Sequence, residues 1–168
     1  MKVTEGQIRN TVFGFEDGFV SSVGALTGIA VASQDSSFVI VSGLVVIMVE
    51  SFSMSVGSYL SEKSASELTP GNAKTKGVYV NAFLMGASYI TAGSIVLAPF
   101  VIITSPLWAT LVSVLSALTG LFILGYVKGK VVKRNPLRSA CEMLLIAGSA
   151  TGIGLVVGTL GKNILAGN

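Results

Sequence analysis

The chain has 168 residues, of which 51% are hydrophobic and 11% charged, with a net charge of +3. Soluble domains average about 25% charged residues. This depletion, with a mean hydropathy of +0.78, argues against a water-soluble domain. One cysteine and no histidine exclude thiolate clusters, imidazole sites and an intrachain disulfide.

The opening MKVTEGQIRN is polar, and the apolar run after it is broken by Glu16 and Asp17. That is not a cleavable signal pattern, so the first segment is expected to remain as a membrane helix. Crossing about 30 Å of hydrocarbon takes about 20 helical residues. Five segments meet this length, at about 11–33, 38–61, 78–103, 107–127 and 139–160. The turn SQDSS separates the first two, and EKSASELTPGNAKTK, residues 62–76, separates the second from the third. Ser105 and Pro106 break the third from the fourth, because proline cannot donate an intrahelical hydrogen bond. Pro99 either kinks the third helix or marks its end. KGKVVKRNPLR, residues 128–138, precedes the fifth segment. The expected fold is an all-α integral membrane protein, with five transmembrane helices in a single domain spanning residues 1–168. The 20 glycines suit closely packed membrane helices. An odd number of segments does not divide into two inverted halves.

If all five segments span, one face of the membrane holds Lys2, Arg9, Lys63, Lys74, Lys76, Lys128, Lys130, Lys133, Arg134 and Arg138, and the other holds Lys162. Positive residues stay inside, so the N-terminus is expected in the cytoplasm. The basic balance then reflects membrane orientation and not nucleic-acid binding. The short chain favours a prokaryotic plasma membrane, with a vacuolar or other organelle membrane left open.

Within the first segment, GFEDGFVSS places Glu16 and Asp17 in an otherwise lipid-soluble run. A carboxylate near the bilayer centre costs roughly 2.5–3.5 kcal/mol, and such residues commonly mark ion or proton paths. Asp17 lies about 9 Å along the helix from Thr11, and Glu50 about 18 Å from Phe38. Residues three and four apart share a helix face. Asn10, Gly14, Asp17, Ser21, Gly24 and Gly28 make a small, polar stripe, expected to face protein or water. Phe15, Phe19 and Leu26 on the opposite face are expected to meet lipid. On the second segment Gly43, Ile47, Glu50, Met54, Gly57 and Ser61 share a stripe, with Met54 one turn from Glu50. Asn81, Met85 and Ser88 form a face of the third. Gly148, Gly152, Gly154, Gly158 and Gly161 of the fifth are a packing signal of low specificity.

The candidate metal ligands are therefore Asp17, Glu50, Met54 and Glu16, with Asn10, Ser21, Met85 and Glu142 as further candidates along a metal or proton path. Each has a plainer competing role. Asp17 and Glu16 could reach for water at the helix entrance, and Glu50 could pair with a polar group in the bundle. Methionine is often packing, and Glu142 stands near Arg138 as an interfacial ion pair. Carboxylate oxygens with a thioether suit divalent iron or manganese without choosing between them. Asp17, Glu50 and Met54 are too few to dehydrate such an ion. Two copies related by a two-fold axis, placed on the small stripe of the first helix, supply six groups. Two-fold dimers are also the commonest closed assembly. A carboxylate in a low-dielectric site holds a proton when empty, and a divalent cation displaces it, so metal and proton counter-transport is expected. No nucleophile and base, and no phosphate loop, point to an enzyme; the GxG of the fifth segment lies within a membrane helix.

At these residues the chain resembles the vacuolar iron transporter family. The resemblance rests on Asp17-Gly18 in the first helix and on ESFSMSVGSYLSEKS, residues 50–64, and extends over all five segments. It implies a five-helix membrane homodimer that exports Fe²⁺ or Mn²⁺ from the cytosol in exchange for protons, with Co²⁺ and Zn²⁺ as further possible cargoes and no resident cofactor. The ion path implied runs along the dimer interface beside the first helices. Asp17 matches the family's aspartate before glycine, and Met54 its metal-contacting methionine. Glu50 is similar to the acid one turn before that methionine in microbial members; plant members place theirs where this chain has Val46. Two departures stand out. Asn10 replaces a second aspartate, and the long Glu-rich insert between the second and third helices is reduced to about 15 polar residues with Glu62 and Glu67. Two other functions fit the composition: a proton-coupled exporter of small organic cations, and a non-transporting membrane assembly protein.

Overall fold

The computed structural model describes residues 4–68 and 75–166. Lys2 and Lys74, counted in the charge asymmetry, lie outside the described residues, as does the side chain of Lys76. Five helices follow one another: α1 (Glu5–Ser33), α2 (Ser36–Glu67), α3 (Thr75–Ile102), α4 (Pro106–Val131) and α5 (Pro136–Ala166).

Their ends have local causes. α1 begins six residues before the apolar run because Thr4 and Gln7 form a capping box. The Thr4 hydroxyl accepts from the Gln7 N–H at 3.3 Å, and the Gln7 side chain accepts from the Thr4 N–H at 2.9 Å. Gln34, in the left-handed conformation with φ 53°, ends α1, and its N–H donates to the Ala30 carbonyl. Asp35 caps α2 by accepting from the Ser37 N–H at 2.8 Å. α3 continues through Pro99 to Ile102, so Pro99 does not mark the helix end. Pro106 opens α4 at a position where the missing N–H costs nothing. Asn135 caps α5, accepting from the Leu137 and Arg138 N–H groups.

Ser36–Glu67, Gly77–Ile102, Pro106–Val131 and Pro136–Ile164 are long and apolar enough to cross a membrane. α1 matches them in length, with 29 residues, but carries Glu5, Arg9, Glu16 and Asp17. Leu44, Val45, Phe52, Leu115, Ile123, Leu145 and Val156 are exposed on α2, α4 and α5. An apolar surface of this extent belongs in lipid, and the protein is an integral membrane protein.

α1 occupies the centre and touches each of the other four helices. Phe19 and Leu26 are therefore buried and Phe15 half-buried against the core, contrary to the expectation that they meet lipid. Phe19 lies against Gly120 of α4, and Leu26 against Gly43 of α2, at 5% and 1% exposure. Gly14, Gly24 and Gly28 of the small stripe, on which the two-fold axis is expected, are instead packed on two neighbours in the same chain, and Gly18 beside the stripe joins them. Gly14 and Gly18 meet the backbone of α3, where a Cβ on Gly18 would stand 2.7 Å from the Tyr89 carbonyl oxygen. Gly24 and Gly28 meet α5 at Ala150 and Gly154, and a Cβ on Gly28 would stand 2.9 Å from the Gly154 carbonyl oxygen. Small residues are what permit such close crossings. On α2 the buried line is Gly43, Ile47, Ser51 and Ser58, which leaves Glu50, Gly57 and Ser61 on its flank.

Candidate functional site

The side-chain contacts place the start of α1, the end of α2 and the start of α3 at one face of the bundle. Glu62 of α2 is at their junction. Its Oε1 accepts from Asn10 Nδ2 at 2.6 Å and from the Arg9 guanidinium at 3.2 Å. Its Oε2 accepts from Asn81 Nδ2 at 2.7 Å. Asn10 is saturated, since it also donates to the Gly6 carbonyl at 3.0 Å and accepts from the Ser58 hydroxyl at 3.0 Å. Gly6 gives Asn81 its room, because a Cβ there would lie 2.6 Å from Asn81 Nδ2. Amide N–H groups and a guanidinium all face this carboxylate. Both of its oxygens are taken up by these donors, so Glu62 works as a clamp on three helices.

Below the clamp a cavity of about 1100 Å³ opens between α1, α2 and the end of α4, with Met54, Met85, Glu16 and Asn10 on its wall. The structure thus brings together four of the residues singled out from the sequence. Met85 is buried and Met54 half-buried. Glu16 pairs with Lys128 of α4 at 3.7 Å, and Glu142 pairs with Arg138 one turn away at 3.4 Å, exposed at the surface.

Asp17 and Glu50 stand apart from this wall. Asp17 is half-buried and accepts from the Ser21 hydroxyl at 3.1 Å. Glu50 is exposed on α2 in a single chain, between Val49 at 60% and Phe52 at 71% exposure. Among the described residues no group of three acidic, cysteine or histidine side chains could hold a metal within one chain.

Two residues of the site escaped sequence reasoning. In the sequence Glu62 stands out only as an acid of the connection after the second segment. Tyr89 of α3 is fully buried, and no hydrogen bond of good geometry reaches its hydroxyl. Ser21 and Ser22 lie beside that hydroxyl. Tyr89 follows Asn81 and Met85 at four-residue intervals, and that spacing was the available signal.

A model of the VIT family matches residues 8–77 and 66–159. The two matches meet in the connection between α2 and α3. Vacuolar iron transporter 1 of Arabidopsis thaliana is 38% identical over 71 residues, which are 42% of this chain and 28% of that relative. The matched part is therefore under a third of the relative's length. With the family match running through all five helices, the chain belongs to the VIT family, the vacuolar iron transporter family.

Proposed function

We propose that the protein carries a divalent transition metal, Fe²⁺ or Mn²⁺, out of the cytosol in exchange for protons, as a homodimer in which all five helices of each copy span the membrane with the N-terminus in the cytoplasm. Family membership and the iron-transporter relative support metal transport as the general activity. The observation that carries the finer reading is Glu50. It is a carboxylate exposed on an otherwise apolar flank of α2, a position that costs roughly 2.5–3.5 kcal/mol in hydrocarbon. A second copy covering this flank turns the acid from lipid toward a closed path. Asp17 lies on the neighbouring helix α1, and Met54 is one turn from Glu50. Two such sets supply six groups, enough to replace the water around a divalent ion.

In this reading Met54 and Met85 provide soft contacts along the cavity. Asp17 and Glu50 take up protons when the metal leaves. The Ser21 hydroxyl, donating to Asp17, orients that carboxylate. The wide cavity below the Glu62 clamp gives the cation its way in from the cytoplasmic face.

The test is metal-driven proton movement in liposomes containing the purified protein, followed with a trapped pH dye. Gradients of Fe²⁺ and Mn²⁺, and then Co²⁺ and Zn²⁺, are expected to drive protons in the opposite direction, with at least a tenfold loss in Asp17→Asn. Proton movement with an organic cation but with none of these metals would mean that the cargo is organic. Unchanged metal flux in Asp17→Asn would remove Asp17 from the path.

A further inference from the structure

A second cavity, of about 500 Å³, lies between α1, the end of α4 and the start of α5. The metal path leaves it unexplained. Lys128, Arg134 and Arg138 line it, together with the carboxylates Glu16 and Glu142 and the apolar Val132, Met143 and Ile146. The reason is local. Gly129 lets α4 approach α5 so closely that a Cβ would stand 2.6 Å from Pro136 Cα. Lys133 takes the left-handed conformation with φ 56°, and the Arg134 N–H donates back to the Gly129 carbonyl at 2.9 Å. The connection is folded over the gap, and it brings Arg134 to the cavity.

The three cations differ in their partners. Lys128 faces Glu16, and Arg138 faces Glu142. Arg134 has no carboxylate partner among the described residues. Lys130 is turned away over the Tyr126 ring at 4.9 Å. From Arg138 to Ile146 the cavity wall extends about 12 Å along α5, from ~1.5 Å per residue. Along it the cationic Arg138 comes first, Glu142 one turn on is paired with Arg138, and Met143 and Ile146 beyond are apolar. That gradient fits the phosphate, the glycerol and the first methylenes of a single phospholipid. Basic pockets between membrane helices are known to take anionic headgroups in this way. Membrane orientation alone explains why basic residues collect on this face. It does not require three of them to line one concave site beside Val132, Met143 and Ile146, where they outnumber the two carboxylates.

We propose that this cavity binds one anionic phospholipid per chain, with its phosphate on Arg134 and Arg138, Lys128 beside them, and its acyl chains starting on Met143 and Ile146. Glu16, Lys128 and Val132 also line the first cavity, but the proposal does not require that metal passes there.

The test uses the purified full chain in detergent with phosphatidylglycerol, phosphatidylcholine or inorganic phosphate, and reads bound lipid by native mass spectrometry together with the unfolding temperature. One phosphatidylglycerol per chain should remain bound and raise the unfolding temperature, while phosphatidylcholine should do neither. Arg134→Gln should weaken phosphatidylglycerol binding at least tenfold. Lys133→Gln removes the same charge one residue away, outside the cavity, and should leave binding within twofold. Ile146→Ser should weaken the lipid while preserving the fold. Equal losses in Arg134→Gln and Lys133→Gln would reduce the effect to diffuse surface charge and overturn the site. Inorganic phosphate stabilising the protein as strongly as the lipid would also overturn it, by showing a soluble anion to be the ligand.

Discussion

Glu62 accepts hydrogen bonds from side chains of α1 and α3, and hydrogen bonds to a charged group contribute about 1.5–3 kcal/mol each where they are shielded from water. Arg9 is exposed and its share is small. Glu62→Ala is therefore expected to destabilise the protein by about 2–3 kcal/mol, read as a fall in the unfolding temperature in detergent. Asn10→Asp provides a sharper check. It replaces the amide that donates at 2.6 Å to Glu62 with a second carboxylate. Two carboxylates so close share a proton, which raises one affinity for protons in the folded state above that in the unfolded chain. The variant should be less stable than the parent at neutral pH, with the deficit shrinking as the pH falls. A deficit independent of pH would mean that the two side chains move apart. Tyr89→Phe removes a buried hydroxyl that lacks a partner. It is expected to leave stability unchanged or raise it by about 0.5–1 kcal/mol. A clear loss would reveal a partner for that hydroxyl, such as water or an ion.

At the scale of the helix, the sequence was informative about number and order and less so about ends and neighbours. Hydropathy measures the thickness of the membrane, whereas a helix continues until something stops it. α2 therefore runs to Glu67 and not to about 61, through residues such as Ser64 and Ala65 that do not break a helix. The early start of α1 was legible in Thr4 and Gln7 as a capping pattern. The glycine stripe of α1 correctly announced close backbone crossings, but a stripe on one helix does not name the helix that meets it. α3 meets Gly14 and Gly18, and α5 meets Gly24 and Gly28. Gly18→Ala is expected to cost about 1–3 kcal/mol by forcing α1 from α3. Gly148→Ala on α5 has nothing within 4 Å of the added carbon, and should be neutral or slightly stabilising through helix propensity. Equal effects of the two substitutions in thermal unfolding would contradict this assignment of the crossings.

For the whole molecule, Asp17, Glu50 and Met54 were legible one by one, because a charge in an apolar run stands out. Their relation was not, since the angle at which α1, α2 and α3 face each other has no signature in the pattern of any one of them. The Glu62 clamp stayed hidden for the same reason: its partners are 52 and 19 residues away in sequence. One chain leaves Glu50 on an outward flank, and the proposed function depends on a second chain covering it. The most direct measurement is anomalous X-ray scattering from crystals soaked in Fe²⁺ or Co²⁺. A peak is expected between two copies of the chain, within contact of Asp17 and Met54 and adjacent to Glu50. Metal bound only at the outer surface, with Glu50 of each copy facing lipid, would contradict it.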